Sequence, residues 1–198
     1  INSYDKLMPM RVIAGKYKGR KLNFESTEIL RPTADAVKEA LFTKLQFLFP
    51  IDVFVDLFAG TGSIGIEALS RGAKKVFFVE KNHSHVKIIE SNLKTLGIDY
   101  DKNNPNSSKQ AIILTNDFSS VLENFDQKID IIFIDPPYKS DFYDKSLQIL
   151  HERQLLCENG IVVLELEENK KFCEHGFKIF SDKRYGRKHL IYLENSDE

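Results

Sequence analysis

The sequence predicts an α/β fold: a mostly parallel sheet with helices on both faces. Three observations carry that expectation. Residues 53–57, 75–80, 111–115, 129–134 and 161–166 are short, near-continuous apolar runs; helix-length segments separate them; and a glycine-rich turn follows the first run directly. Strands buried on both faces lose the apolar-polar alternation of a half-exposed strand, and strands alternating with helices form βαβ units. At 198 residues the chain has the length of one domain with a sizeable core.

Taken in order, "MRVIAGKYKGRKL" reads as a small hairpin with Gly15 and Gly19 at turn or bulge positions. Val37, Leu41, Leu45 and Leu48 form a helical stripe, and Val86, Ile89, Leu93 and Leu96 form another that stops at Gly97. Two further strands, 177–180 and 189–193, flank "YGR" and are expected to pair antiparallel at the sheet's end, making a seven-stranded sheet in all. The polar, turn-rich stretch 99–110 is expected to be an exposed loop. The expected organisation is therefore an extra tail (1–9), a basic N-terminal hairpin (10–26) and a main α/β unit (27–198) within one structural domain.

Hydrophobic residues make up 42% of the chain and charged residues 29%, and Pro50, Asp52 and Asp56 interrupt its most apolar region, so no membrane span is expected. The first residues lack the basic start and apolar core of a signal peptide, and Cys157 and Cys173 match neither a disulfide framework nor a zinc spacing. A reduced, cytoplasmic location and a monomer are expected. The net charge of −1 excludes a uniformly basic nucleic-acid binder. Yet every charged residue between Asp5 and Glu25 is positive, namely Lys6, Arg11, Lys16, Lys18, Arg20 and Lys21. A second basic cluster runs through 183–189. Such clusters suit a phosphate backbone, or simply a solvated surface.

The first chemical motif is "DLFAGTGSIGIEA", residues 56–68, at the passage from strand to helix. Gly60, Gly62 and Gly65 satisfy the dinucleotide pattern G-x-G-x-x-G, and Glu80 ends the next strand 20 residues after Gly60. A nicotinamide dehydrogenase therefore has to be weighed. Asp56 argues against it, because a carboxylate just before the glycine turn would repel a pyrophosphate arriving at the helix N-terminus. S-adenosylmethionine has no phosphate and carries two cationic groups that Asp56 could attract. Glu80 suits the ribose hydroxyls of either cofactor. Asp117 is either an acceptor for the adenine amine or a helix N-cap, with Phe118 beside it able to cover the ring.

The second motif is "DIIFIDPPY", residues 130–138. Asp135 ends the fourth strand at the same crevice, where its carboxylate and the Pro136 carbonyl can accept hydrogens from an exocyclic amine of a base. Pro136 and Pro137 stiffen the turn and lack N–H donors, and Tyr138 offers a stacking face. The set suits methylation of an amino nitrogen by in-line displacement, with positioning and desolvation supplying most of the catalysis. The target base would have to be unpaired or flipped out.

The order "RVIAGKYKGRKL", "RPTADAVKEALF", "DLFAGTGSIGIEALSRGA", "VEKN", "ND", "DPPY" resembles the bacterial ribosomal RNA small subunit methyltransferase D family, over residues 10–193. The resemblance implies a Rossmann-like class I methyltransferase sheet with S-adenosylmethionine as methyl donor. The implied reaction is transfer to the exocyclic N2 of one guanine, of the guanine 966 type, in 16S rRNA. It implies a substrate assembled with ribosomal proteins into a small-subunit particle or its assembly intermediate. It also implies a segment "RPTADAVKEALF" that closes over the cofactor, with Arg31 and Thr33 at the site; residue type alone would make Thr33 a helix N-cap after Pro32. Phe58 and Lys81, inside the matching motifs, join the cofactor set. The candidate RNA contacts are Arg11, Lys16, Lys18, Arg20 and Lys21, with Arg184, Arg187 and Lys188 as a weaker patch. The 99–110 loop is longer than is usual for the family, and the tail before Met10 is extra.

"DPPY" is shared with adenine-N6 methyltransferases, so a DNA or RNA adenine methyltransferase is the alternative. A non-catalytic RNA-binding protein on the same scaffold is a further reading, opposed by the presence of Asp56, Glu80 and Asp135 together. No metal is expected: His83 and His85 do not share a helix face, and His151 and His175 look isolated. Phe24, Phe42, Phe47 and Phe54 read as core.

Overall fold

A computed structural model describes residues 10–24, 32–137, 141–168 and 170–196, with backbone only for 32–34. The helices are α1 (Pro32–Leu45), α2 (Ser63–Arg71), α3 (His83–Leu96), α4 (Phe118–Asn124) and α5 (Phe142–Glu152). The strands are β1 (Val53–Asp56), β2 (Lys75–Val79), β3 (Tyr100–Lys102), β4 (Ala111–Leu114), β5 (Ile129–Ile134), β6 (Leu156–Glu167), β7 (Phe177–Tyr185) and β8 (Lys188–Asn195). They form one sheet in the order β3-β4-β2-β1-β5-β6-β8-β7. β1 pairs in parallel with β2 on one side and β5 on the other. The chain thus reverses its direction of travel across the sheet at β1, and open α/β sheets bind ligands at the carboxyl ends of strands at such a switch point.

The side-chain period of two explains why the central strands are apolar throughout. Phe54, Phe78 and Ile113 point to one face, where Leu41 of α1, Ile66 of α2 and Ile89 and Leu93 of α3 cover them. Val55, Phe77, Ile112 and Ile132 point to the other face, against Leu122 of α4 and Leu147 and Leu150 of α5. The second stripe ends as expected: Gly97 takes φ +68°, and its N–H caps the last turn of α3. The antiparallel β7–β8 pair is also present, closing through Gly186 at φ +63°. No helix among the described residues is long and apolar enough to cross a membrane.

Four expectations need correction. The sheet has eight strands, because the stretch expected to be a loop contributes β3, parallel to β4. That stretch is also anchored, with Lys75 Nζ donating to Ser107 O at 2.8 Å and Gln127 Nε2 to Pro105 O at 2.9 Å. The N-terminal hairpin, by contrast, is present around one bridge, Arg11 with Lys21, with Val12 N–H donating to Arg20 O (3.0 Å), Gly19 N–H to Val12 O (2.9 Å) and Leu22 N–H to Met10 O (2.8 Å). Beyond those bonds its donors reach α2: Ile13 and Ala14 N–H donate to the Glu67 carboxylate (2.8 and 3.0 Å), and Tyr17 N–H donates to Ser70 Oγ at 2.9 Å. The first helical stripe loses Leu48, because a 3₁₀ turn (Gln46–Leu48) follows α1 and rotates the register. Leu48 and Phe47 are exposed, Phe47 to 89%, so Phe47 is not core. Finally, α1 already includes Pro32 and Thr33, so Thr33 is the second helical residue, with Pro32 at the favoured first position, and not the N-cap.

Candidate active site

A cavity of about 480 Å³ opens at the carboxyl ends of β1, β2, β4 and β5. Four turns line it: the glycine turn after β1, residues 80–82, residues 116–118 and residues 135–137, with Phe142 of α5. Each turn follows a strand that must stop where its helix begins, so the topology itself gathers these residues.

The glycine turn needs backbone that side chains resist. Gly60 and Gly62 take φ +52° and +78°, in the left-handed region. At Gly65 the constraint is contact, since a Cβ there would lie 2.4 Å from Phe78 Cε1. Gly65 N–H, in the first turn of α2, donates to Asp56 Oδ2 at 2.9 Å. Asp56 is 2% exposed, and its pKa is pushed up to about 7 by burial, with Glu80 adding to the rise and the Gly65 bond opposing it. The carboxylate already sits at the helix N-terminus, where a pyrophosphate would have to go.

Glu80 is held by both oxygens. Gly60 N–H donates to Oε2 (2.9 Å) and Asn82 N–H to Oε1 (2.8 Å), and His85 Nδ1 lies 3.5 Å from Oε2. Two further acceptor positions of the carboxylate can receive a diol. Asp117 takes the N-cap role: Oδ1 accepts from Ser119 N–H (3.0 Å) and Oγ (2.7 Å). The Ser119 hydroxyl bond, chiefly, holds its pKa below the ordinary value. Phe118, Phe58 and Phe142 form a three-ring cluster with centroids 4.8 to 5.8 Å apart. Lys81 also lines the cavity.

Asp135 reaches the same cavity from β5, followed by buried Pro136 and exposed Pro137. Its pKa is pushed up to about 8, first by burial and then by Glu165. Asp56, Glu80, Asp117, Phe118 and Asp135 are therefore brought to one cleft. Arg31 and Tyr138 lie outside the described residues.

Of the predicted RNA contacts, Arg11, Lys16, Lys18, Arg20 and Lys21 are all exposed. Their loop abuts the cavity mouth: Lys38 Nζ donates to Arg11 O at 2.7 Å and to Ser63 Oγ at 3.2 Å, and Ser63 lines the cavity. Arg184 and Arg187 are exposed too, but Arg184 pairs with Glu168 at 2.6 Å. Lys188 does not belong to that surface patch; its ammonium pairs with buried Glu165 behind Asp135. His175 is not isolated either. The ligand atoms of Asp144, Cys173 and His175 lie within 4.8 Å of one another, and Asp144 Oδ1 accepts the Cys173 N–H at 2.6 Å as a clasp on the loop before β7. Sequence reasoning missed Phe142, His85 and Glu165. Phe142 had a signal, as an aromatic shortly after "DPPY"; Glu165 had none, because one acid in an apolar strand has no spacing to read.

Comparison with known proteins identifies the family. The family model described as "Conserved hypothetical protein 95" matches residues 10–194. The ribosomal RNA small subunit methyltransferase D of Haemophilus influenzae is 37% identical over 164 residues, covering 81% of this chain and 80% of that protein. The chain belongs to the ribosomal RNA small subunit methyltransferase D family. The Escherichia coli K12 member is 29% identical over 158 residues, covering 80% of this chain and 75% of that one. A solved structure from Haemophilus influenzae superposes with a TM-score of 0.77 at 30% identity, covering 96% of this chain and all of that one. The fold is the class I methyltransferase fold.

Proposed function

We propose that this protein transfers a methyl group from S-adenosylmethionine to the exocyclic N2 of a guanine in 16S rRNA, within an assembled small-subunit particle. The observation that carries the reading is the convergence of Asp135–Pro136 and the Asp56–Glu80 pair on one cavity of about 480 Å³. That volume suits a nucleoside-sized ligand. The names of the relatives supply the rRNA substrate, and the family resemblance supplies guanine.

The residues fit the donor chemically. The fixed Glu80 carboxylate would receive the ribose hydroxyls, the Phe118 ring would cover the adenine, and the free acceptor capacity of Asp117 would meet its amine. Buried Asp56 matches a cationic amino acid moiety far better than a phosphate. When bound, S-adenosylmethionine supplies a methyl group on a sulfonium, whose carbon–sulfur bond electrons leave with the sulfur.

The protein's own part is positioning and proton handling. Asp135 and the Pro136 carbonyl accept the amine hydrogens, so the nitrogen lone pair is directed across the cavity and away from conjugation with the ring. The aromatic cluster and the proline turn exclude water from the reacting amine. The exposed basic loop of 11–21 receives RNA phosphates beside the cavity mouth.

Incubation of the protein with labelled S-adenosylmethionine and either naked 16S rRNA or small-subunit particles tests the reading. Label is expected in particles and in N2-methylguanosine; label confined to N6-methyladenosine in any nucleic acid would replace it by the adenine alternative.

A further inference from the structure

Behind the "DPP" turn lies a second cavity, of about 30 Å³, on the far side of Asp135 from the cofactor cleft. Asp135, Pro136, Tyr143, Glu165, Lys170 and Lys188 are among the residues that line it. It has the size of one water molecule and polar partners for it. The strand register explains the arrangement. Ile134 of β5 pairs with Leu164 of β6, so Asp135 and Glu165 come next along parallel neighbours and project to the same face. Lys188 opens β8 opposite Glu167 of β6, and its ammonium returns to the Glu165 carboxylate. Glu165 itself is only 8% exposed, and Tyr143 Oη donates to its backbone oxygen at 2.6 Å.

An ionised pair has a desolvation cost, and a structural strand pairing does not need one here. The pair stands where it can act on the group that holds the substrate amine. We propose that the Glu165–Lys188 pair is a positioning device for Asp135, setting the charge of the carboxylate that receives the proton the amine gives up. This rests on the methyl-transfer reading. When the nitrogen forms its bond to the methyl carbon it becomes positive; one N–H bond then breaks, its electrons return to nitrogen, and the proton moves to the Asp135 carboxylate. From there it leaves through a water in the small cavity, and Asp135 is ionised again, its charge balanced by the nearby Lys188 ammonium.

Asp135 is faced by Asp56 from β1, by Glu165 and Glu167 from β6, by Lys188 from β8, and by Tyr143 and Lys170 across the cavity. Three carboxylates raise its proton affinity and Lys188 lowers it. Removing Glu165 and removing Lys188 must therefore act in opposite directions, whereas a general loosening of the strand ends would move both midpoints the same way.

The test uses Glu165→Gln and Lys188→Met in the full chain, with Lys188→Arg as the conservative variant. Carbon-13 NMR of labelled aspartate in the ligand-free protein follows the Asp135 carboxyl directly. Its midpoint is expected about one pH unit lower in Glu165→Gln and about one unit higher in Lys188→Met, with Lys188→Arg close to the parent. The acidic limb of the single-turnover methyl-transfer rate should move in the same two directions. Midpoints unchanged in both variants, or moved in the same direction, overturn the proposal even if the enzyme is active. A parent protein that transfers no methyl group to any nucleic acid overturns the functional reading, and the pair's role with it.

Discussion

The backbone N–H of Gly65 donates to Asp56 Oδ2 at 2.9 Å, joining the end of β1 to the first turn of α2 across the glycine turn. A carboxylate that occupies a helix N-terminus from inside the fold neutralises the dipole there without an external anion. The same bond therefore shapes the turn and fills the helix N-terminus with a carboxylate, which disfavours a phosphate there.

Asp56 gives this arrangement a pH signature. Its pKa in the folded protein is about 7 against an ordinary 3.8, so the folded state holds the proton more tightly than the unfolded chain between those values. Its contribution to stability is therefore fully present below the ordinary value and is lost as pH rises toward 7. A cationic ligand favours the ionised form. S-adenosylmethionine affinity is expected to rise between pH 6 and pH 8, with proton release on binding near pH 6.5, and Asp56→Asn should flatten both. Calorimetry in two buffers of different ionisation enthalpy measures the proton count.

Gly65→Ala brings a methyl to 2.4 Å from Phe78 Cε1, and Phe78 is completely buried. Overpacking of this kind costs about 1–3 kcal/mol. The expected result is a lower urea midpoint with weaker cofactor binding, because Gly65 also holds Asp56. An unchanged midpoint would mean that Phe78 can retreat without cost.

Glu67 tests the link between the basic loop and the main unit. Its carboxylate is fully buried and accepts from Ile13 N–H, Ala14 N–H and Arg71 Nε. Glu67→Ala leaves these donors without that acceptor and should cost about 3 kcal/mol. Limited proteolysis should then cut within residues 11–21. Charge reversal of Lys16, Lys18 and Lys21 should instead leave stability and cofactor affinity intact and reduce RNA modification, with a shallower salt dependence.

Much of this was legible in the sequence because it rests on periodicity and on chemistry at strand ends. The central strands, the α3 stripe ending at Gly97, and the convergence of Asp56, Glu80, Asp117 and Asp135 follow from a βαβ order alone. Phe47 shows the limit: its spacing allowed a core position, but a 3₁₀ turn changed the period and left it in solvent. β3 was hidden because an edge strand of three polar-leaning residues, "YDK", has no pattern to read. Glu67 and Glu165 were silent for a different reason. Each is an acid in an ordinary amphipathic or apolar segment, and its role is set by a partner distant in the chain, Ile13 in one case and Lys188 in the other.

The most direct test of the central claim is methyl transfer from labelled S-adenosylmethionine to small-subunit particles from cells lacking this protein, with nucleoside analysis, comparing the parent chain and Asp135→Ala. Label in N2-methylguanosine that falls by about a hundredfold or more in Asp135→Ala is the predicted result. Label that persists undiminished in Asp135→Ala, or that appears in another nucleoside, would contradict the account.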